Sequence, residues 1–285
     1  MLMRRILVPL VGIEAERKAL TLALRAAKAV GAHVDALLVL PDPNEALPYL
    51  GEGLTGGMIE EILESARTRG QACAELGRQM FKETAAAAGA KVVNAPEAGG
   101  GLTARYVEFT GPLCDVVAQA ACVADLVVAS DALIEPSVFE AALIDAGRPV
   151  LIAPKDELPA TFATKVFLAW RTTREAGHAA SAALPFLKAA KQVRIASVER
   201  EGEDPESEIA ALKDYLALHG VRPTSEVFAT AGKPLASILV EALAKDGSDL
   251  LVMGGYGHSR LREFILGGVT REIAAAAPIP ILMAH

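Results

Sequence analysis

The feature that most limits how this chain can fold is that it repeats itself. Arg5-Ile-Leu-Val-Pro-Leu opens one half, and Lys165-Val-Phe-Leu-Ala-Trp opens the other. In each half a basic residue is followed by a short apolar run, a polar stretch and an Ala-rich segment. The segments 14–30 and 173–190 have apolar residues at three- and four-residue steps, which predicts amphipathic helices. Second apolar runs at 33–40 and 192–198, helices at 58–88 and 205–218, and third strands at 104–110 and 225–230 follow in the same order. The likeness then becomes literal. Gly111-Pro-Leu answers Gly232-Lys-Pro-Leu, Ala124-Asp-Leu-Val-Val answers Ser248-Asp-Leu-Leu-Val, and Arg148-Pro-Val-Leu-Ile-Ala answers Ile279-Pro-Ile-Leu-Met-Ala.

Each half therefore reads as five strands alternating with four helices. Strands that are almost wholly apolar belong in a parallel sheet covered on both faces, and right-handed crossovers make such a sheet doubly wound. The expected fold is α/β, with two tandem Rossmann-like five-stranded parallel sheets. Expected domains are 1–156 and 160–285, joined through 155–163 with Pro154 and Pro159 nearby. A length of 285 residues suits two domains of roughly 140 residues each.

The formal net charge is −7. Nucleic acid and anionic membrane would be repelled by such a surface, and no Lys/Arg cluster offsets it. No stretch reaches the roughly 20 apolar residues of a membrane helix, and the run after Arg4 and Arg5 is short for a secretory leader. The expected location is the cytoplasm. The three cysteines, Cys73, Cys114 and Cys122, form no CxxC pair and are expected to be reduced, buried packing residues.

Chemistry concentrates where the fourth strand of the second half ends, at Met253-Gly-Gly-Tyr-Gly-His258, and resumes at Gly267-Gly-Val-Thr270, with nine residues between Gly257 and Gly267. Ligands in open α/β sheets sit beyond the carboxyl ends of the strands. Glycines there let the backbone approach an anion, and N–H groups at a helix start point toward it. Thr270 can donate or cap. Tight turns with no ligand satisfy the same pattern. No Gly-Lys-Ser/Thr follows, so this is not a Walker loop.

In these residues the chain resembles the universal stress protein family. Nucleotide-binding members of that family carry glycines at the spacing of Gly254, Gly257 and Gly267, followed by Ser or Thr. Here Gly268 takes that last place before Val269-Thr270. The likeness is strongest over 249–280 and extends, more weakly, over the first half. It implies adenine nucleotide alpha hydrolase-like sheets and ATP, or a related adenine nucleotide, across the strand ends of the second half. Phosphates would lie on Gly254, Gly257, Gly267, Gly268 and Val269. Beside that set, His258 can donate to a phosphate or stand as a loop histidine without contact, and Thr270 can add a donor. Adenine and ribose would lie near Ala169, Trp170, Arg171 and Val198. Family members place an Asp after the first strand, near ribose and metal. Val11 and Arg171 stand there instead, so Mg²⁺ binding through that carboxylate is not expected. Arg171 can meet phosphate directly, face solvent or plug the pocket.

The first half has Ser130-Asp-Ala-Leu-Ile-Glu-Pro136 in place of the glycines, and Asp131 and Glu135 would repel phosphate. That copy is expected to be structural or to bind something uncharged. Lys233, Ser259 and Arg260 are further loop candidates for phosphate. Leu261, Phe264 and Ile265 have the spacing of packing residues. His178 is read as packing or surface, His33 and His219 as caps or surface, and 199–208 as a solvated acidic loop that can edge the adenine pocket. No catalytic residue and no metal ligand is assigned. The resemblance points to a stress-linked sensor or regulator whose domains pair through 149–152 and 280–283 as a pseudo-dimer, with further homodimerisation open. The alternatives are a slow ATPase or nucleotidyl-transfer enzyme, and a nucleotide-free module binding a protein or small ligand.

Overall fold

The computed structural model describes residues 2–47, 55–99, 101–130, 136–200, 202–230, 232–255, 272–273 and 276–285. The first half contributes β1 (Arg5–Leu10), α1 (Arg17–Val30), β2 (His33–Leu40), α2 (Gly56–Ala88), β3 (Lys91–Val92), β4 (Thr103–Thr110), α3 (Leu113–Ala121), β5 (Leu126–Ala129), α4 (Pro136–Glu140) and β6 (Val150–Ile152). The second contributes β7 (Lys165–Ala169), α5 (Arg174–Ala189), β8 (Gln192–Val198), α6 (Pro205–Leu218), β9 (Thr224–Phe228), α7 (Leu235–Asp246), β10 (Leu250–Gly254) and β11 (Ile281–Ala284).

The strands order as β3-β4-β2-β1-β5-β6-β11-β10-β7-β8-β9 in one sheet. Each half keeps a parallel, doubly wound order with its first strand in the middle. The halves join where β6 and β11 pair antiparallel, with Leu151 opposite Leu282. The first half has one strand more than expected. β3 is two exposed residues paired to the start of β4, too short to leave a periodic signal.

Strands buried on both faces send alternate residues to opposite layers. Ile6, Val8 and Leu10 of β1 join one core with α1, α2, α5 and α6, while Leu7 joins a second core with α3 and α7. Both cores draw on both halves, and α1 packs on α5. Alanines on the facing helices (Ala19, Ala23 and Ala27 on α1; Ala179, Ala180 and Ala183 on α5) are all buried.

The repeat extends to single hydrogen bonds. The Asp125 carboxylate accepts from the N–H groups of Arg4 and Arg5 at 2.7 and 3.0 Å, fastening the start of β1. Asp249 accepts from those of Thr164 and Lys165 at 3.1 and 2.9 Å and from the Thr161 hydroxyl at 2.5 Å, fastening β7. Lys18 and His178 each lie 13 residues after the first residue of their half's first strand. Lys18 Nζ donates to the carbonyls of Pro154, at 3.1 Å, and Lys155, and His178 Nδ1 bonds the carbonyl of His285 at 2.7 Å. In both halves the first helix thus clamps the chain just past the last strand.

Two expectations need correction. Cys122 is exposed and Cys73 and Cys114 are half-buried, so none is a fully buried packing residue. α3 stops at Ala121, which leaves Cys122 beyond the packed face. His33 is buried rather than a cap or surface residue. Thr103 Oγ1, 2.7 Å from Nδ1, and Asp35, 3.2 Å from Nε2, satisfy both ring nitrogens from within the fold. His219 does follow α6 as its cap residue, stacked edge-on to Tyr215.

Candidate functional site

In the second half the strand order reverses between β7 and β10. α5 leaves β7 on one face and α7 precedes β10 on the other. Such a reversal opens a crevice at the carboxyl ends of the two strands. Gly254 ends β10 at one wall of that crevice. A Cβ added there would lie 2.6 Å from the backbone nitrogen of Ala176 and 2.8 Å from the carbonyl carbon of Glu175. Only glycine lets β10 meet the first turn of α5 this closely. Gly255 N–H donates to the Ala284 carbonyl at 2.9 Å, tying the same point to β11.

The opposite wall is the end of β7. Ala169 is its last residue, in register with Ala196 of β8, and Val198 ends β8 as a buried residue. Trp170 follows, half-buried against the first core, and its indole N–H meets no acceptor among the described residues. These three expected site residues and Gly254 all lie on the carboxyl side of the sheet. Gly257, His258, Gly267, Gly268, Val269 and Thr270, with Ser259, Arg260, Leu261, Phe264 and Ile265, lie outside the described residues.

Arg171 comes next and does not face solvent alone. Its Nη2 lies 2.5 Å from the Glu203 carboxylate. The Thr172 N–H donates to Glu208 Oε2 at 2.8 Å. Thr173 caps α5, its hydroxyl accepting from Ala176 N–H at 3.2 Å. Glu175, in the same first turn, has its carboxyl held below the usual range; burial opposes this, but its own backbone N–H and Arg174 prevail. The sequence marked 199–208 as acidic, yet nothing in it singled out Glu203 and Glu208. Only the fold brings α6 back over the end of β7.

The first half builds the same turn differently. Glu16 stands where Ala176 stands in the second half, 11 residues after the start of the first strand. Its side chain is fully buried and accepts from the N–H groups of Val11, Gly12 and Ile13 at 2.8, 3.0 and 3.1 Å. Burial pushes the Glu16 carboxyl up, while these three donors pull it down. Gly12 turns the chain at φ +85°, with the Cys73 carbonyl where a Cβ would go. Ser130, five residues after Asp125, replaces Gly254, five after Asp249. Asp131 and Glu135 lie outside the described residues.

Lys233 is held by its own helix, its ammonium 2.9–3.0 Å from Glu241 on α7. A groove of about 460 Å³ lies in the first half, between the ends of β2 and β4 and helix α2. Its Arg78 is already paired with Glu75 and Glu108 at 2.8 and 2.6 Å. Among the described residues no group of three or more His, Cys, Asp or Glu side chains is placed to hold a metal ion, and no helix is long and apolar enough to cross a membrane.

Residues 173–285 match the model of the universal stress protein family. No curated protein matches the sequence. Among solved structures, a universal stress protein from Archaeoglobus fulgidus superposes with a TM-score of 0.69 at 17% identity, covering 98% of this chain and 97% of its own. A protein of unknown function from Pseudomonas aeruginosa superposes at 0.55 with 15% identity, covering 98% and 92%. At such identities the superpositions speak for the fold, and they span both halves. The second half of this chain is therefore a universal stress protein domain, and the first half repeats its fold.

Proposed function

We propose that the second half binds ATP or a related adenine nucleotide and serves as a stress-linked sensor or regulator. The observation that carries this reading is the strand reversal at β7 and β10, opening beside Gly254 and Arg171 in the half that matches the family. In this reading the phosphates lie on Gly254, Gly257, His258, Gly267, Gly268, Val269 and Thr270. Adenine and ribose lie against Ala169, Trp170, Arg171 and Val198. The Trp170 indole N–H, buried and without an acceptor among the described residues, offers a donor at that wall. The first half, with Glu16 in its turn and Ser130 in place of glycine, supports the second without binding nucleotide.

The units are 1–156 and 160–285, paired within the chain as a pseudo-dimer. The reading is of binding rather than turnover, since Arg171 supplies charge to a phosphate but no ligand to a metal. Calorimetric titration of the purified protein with ATP tests it. Binding by the wild type that Gly257→Val abolishes is the expected result. Absence of ATP binding, together with no nucleotide in the mass spectrum of ligands released from the native protein, would overturn it.

A further inference from the structure

In both halves, carboxylates of the chain itself accept from donors in the turn past the first strand: Val11, Gly12 and Ile13 in the first, Arg171 and Thr172 in the second. In the first half the carboxylate is Glu16, three to five residues away and fully buried, and it holds Val11, Gly12 and Ile13. In the second half Ala176 cannot do this, and two carboxylates arrive from another element. Glu203 pairs with the Arg171 guanidinium at 2.5 Å and Glu208 accepts the Thr172 N–H at 2.8 Å. Their surroundings differ from those of Glu16. The Arg171 and Glu203 side chains are 39% and 27% exposed, and Glu208 is half-buried. Water reaches this pair, so its net strength is modest and it can exchange.

From this we infer that Glu203 and Glu208 are specificity determinants of the second-half site. They act as an internal competitor that only a ligand with phosphate charge displaces from Arg171 and Thr172. The inference rests on the nucleotide reading for the identity of the natural ligand, but the competition itself is a property of these four residues. A neutral nucleoside has no group to take over the guanidinium and leaves the pairs intact. A polyphosphate takes both donors, as charge-assisted bonds to phosphate oxygens are at least as strong as those to a carboxylate. Glu203, in the segment preceding α6, and Glu208, in the first turn of α6, then release these donors by turning their side chains away.

The test compares the wild-type chain, the Glu203→Gln/Glu208→Gln variant, and Glu199→Gln/Glu206→Gln. This last variant removes the same charge from exposed positions of the same segment. Tripolyphosphate, adenosine and ATP are titrated into each by calorimetry. Removing the competitor is expected to tighten tripolyphosphate and ATP by about ten-fold, the equivalent of one charge-assisted hydrogen bond, with adenosine unchanged. The charge-matched control is expected to move tripolyphosphate by no more than about two-fold, as for a screened surface charge. Equal tightening of adenosine and tripolyphosphate would mean that the segment merely covers the crevice, and the inference fails. Equal gains in the two variants, or none in either, also overturn it. If tripolyphosphate follows the expected pattern but ATP binds to none of the three proteins, the nucleotide reading fails and the competition stands.

Discussion

Gly254 shows how one absent methyl can have two explanations. Its position at a strand end, three residues before Gly257, suggests a phosphate loop. In the fold its missing side chain also admits the backbone of Glu175 and Ala176. Those are backbone atoms in a helix start and cannot swing aside. Gly254→Ala is expected to cost about 1–3 kcal/mol, the range for overpacking a tight contact. The urea midpoint reads this without any ligand, and an unchanged midpoint would show that β10 and α5 do not meet so closely. Glycine spacing in sequence could not separate the two roles, because each requires only that no Cβ be present. Glu16 was equally silent. A glutamate near a helix start usually reads as a surface residue complementing the helix dipole, and its inward turn depends on the positive φ of Gly12.

Strands β1, β2 and β4 are cross-linked by one buried acid. Asp35 on β2 lies 2.6 Å from Arg5 on β1 and 2.7 Å from Arg105 on β4, with His33 at 3.2 Å. Burial opposes its ionisation, but the hydrogen bonds from His33, Arg105 and Arg5 outweigh it and hold the carboxyl well below the usual range. A group whose folded pKa is depressed contributes stability above its unfolded value, near 4, and that contribution disappears as pH falls toward the folded value. Asp35→Asn is expected to cost about 2–3 kcal/mol at neutral pH. That is at or below the low end for breaking a buried pair, because both arginines retain access to water. Below pH 4 the variant is expected to lose stability less steeply than the wild type in urea titrations. Parallel curves would place the acid sensitivity elsewhere. Most strands were legible from their apolar runs, because burial on both faces leaves no polar alternation to confuse them. This network was not. Arg5, His33, Asp35, Thr103 and Arg105 are brought together by strand register across 100 residues, and none carries a local signal. The Asp125 and Asp249 repeat was visible as a likeness, but its work of fastening β1 and β7 was not.

On the scale of the whole chain, the doubled pattern was legible as two halves, and the pairing of 149–152 with 280–283 that the family resemblance implies is met by the antiparallel β6 and β11. Two shared cores and one continuous sheet predict that the halves unfold together. The chain has a single tryptophan, Trp170, which lies just past the end of β7 in the second half. Its fluorescence and far-ultraviolet circular dichroism, which sees all the helices, are expected to give coincident urea transitions. Separated transitions would show that the β6–β11 joint does not couple the two cores. That joint also bears on how the two turns came to differ. In a symmetric assembly of identical chains, every substitution is made at all equivalent positions at once. Here the two halves are encoded separately, so Glu16 can close one turn from within while Ala176 leaves its counterpart to Glu203 and Glu208. Covalent linkage thus frees each copy to mutate without imposing the change on its twin.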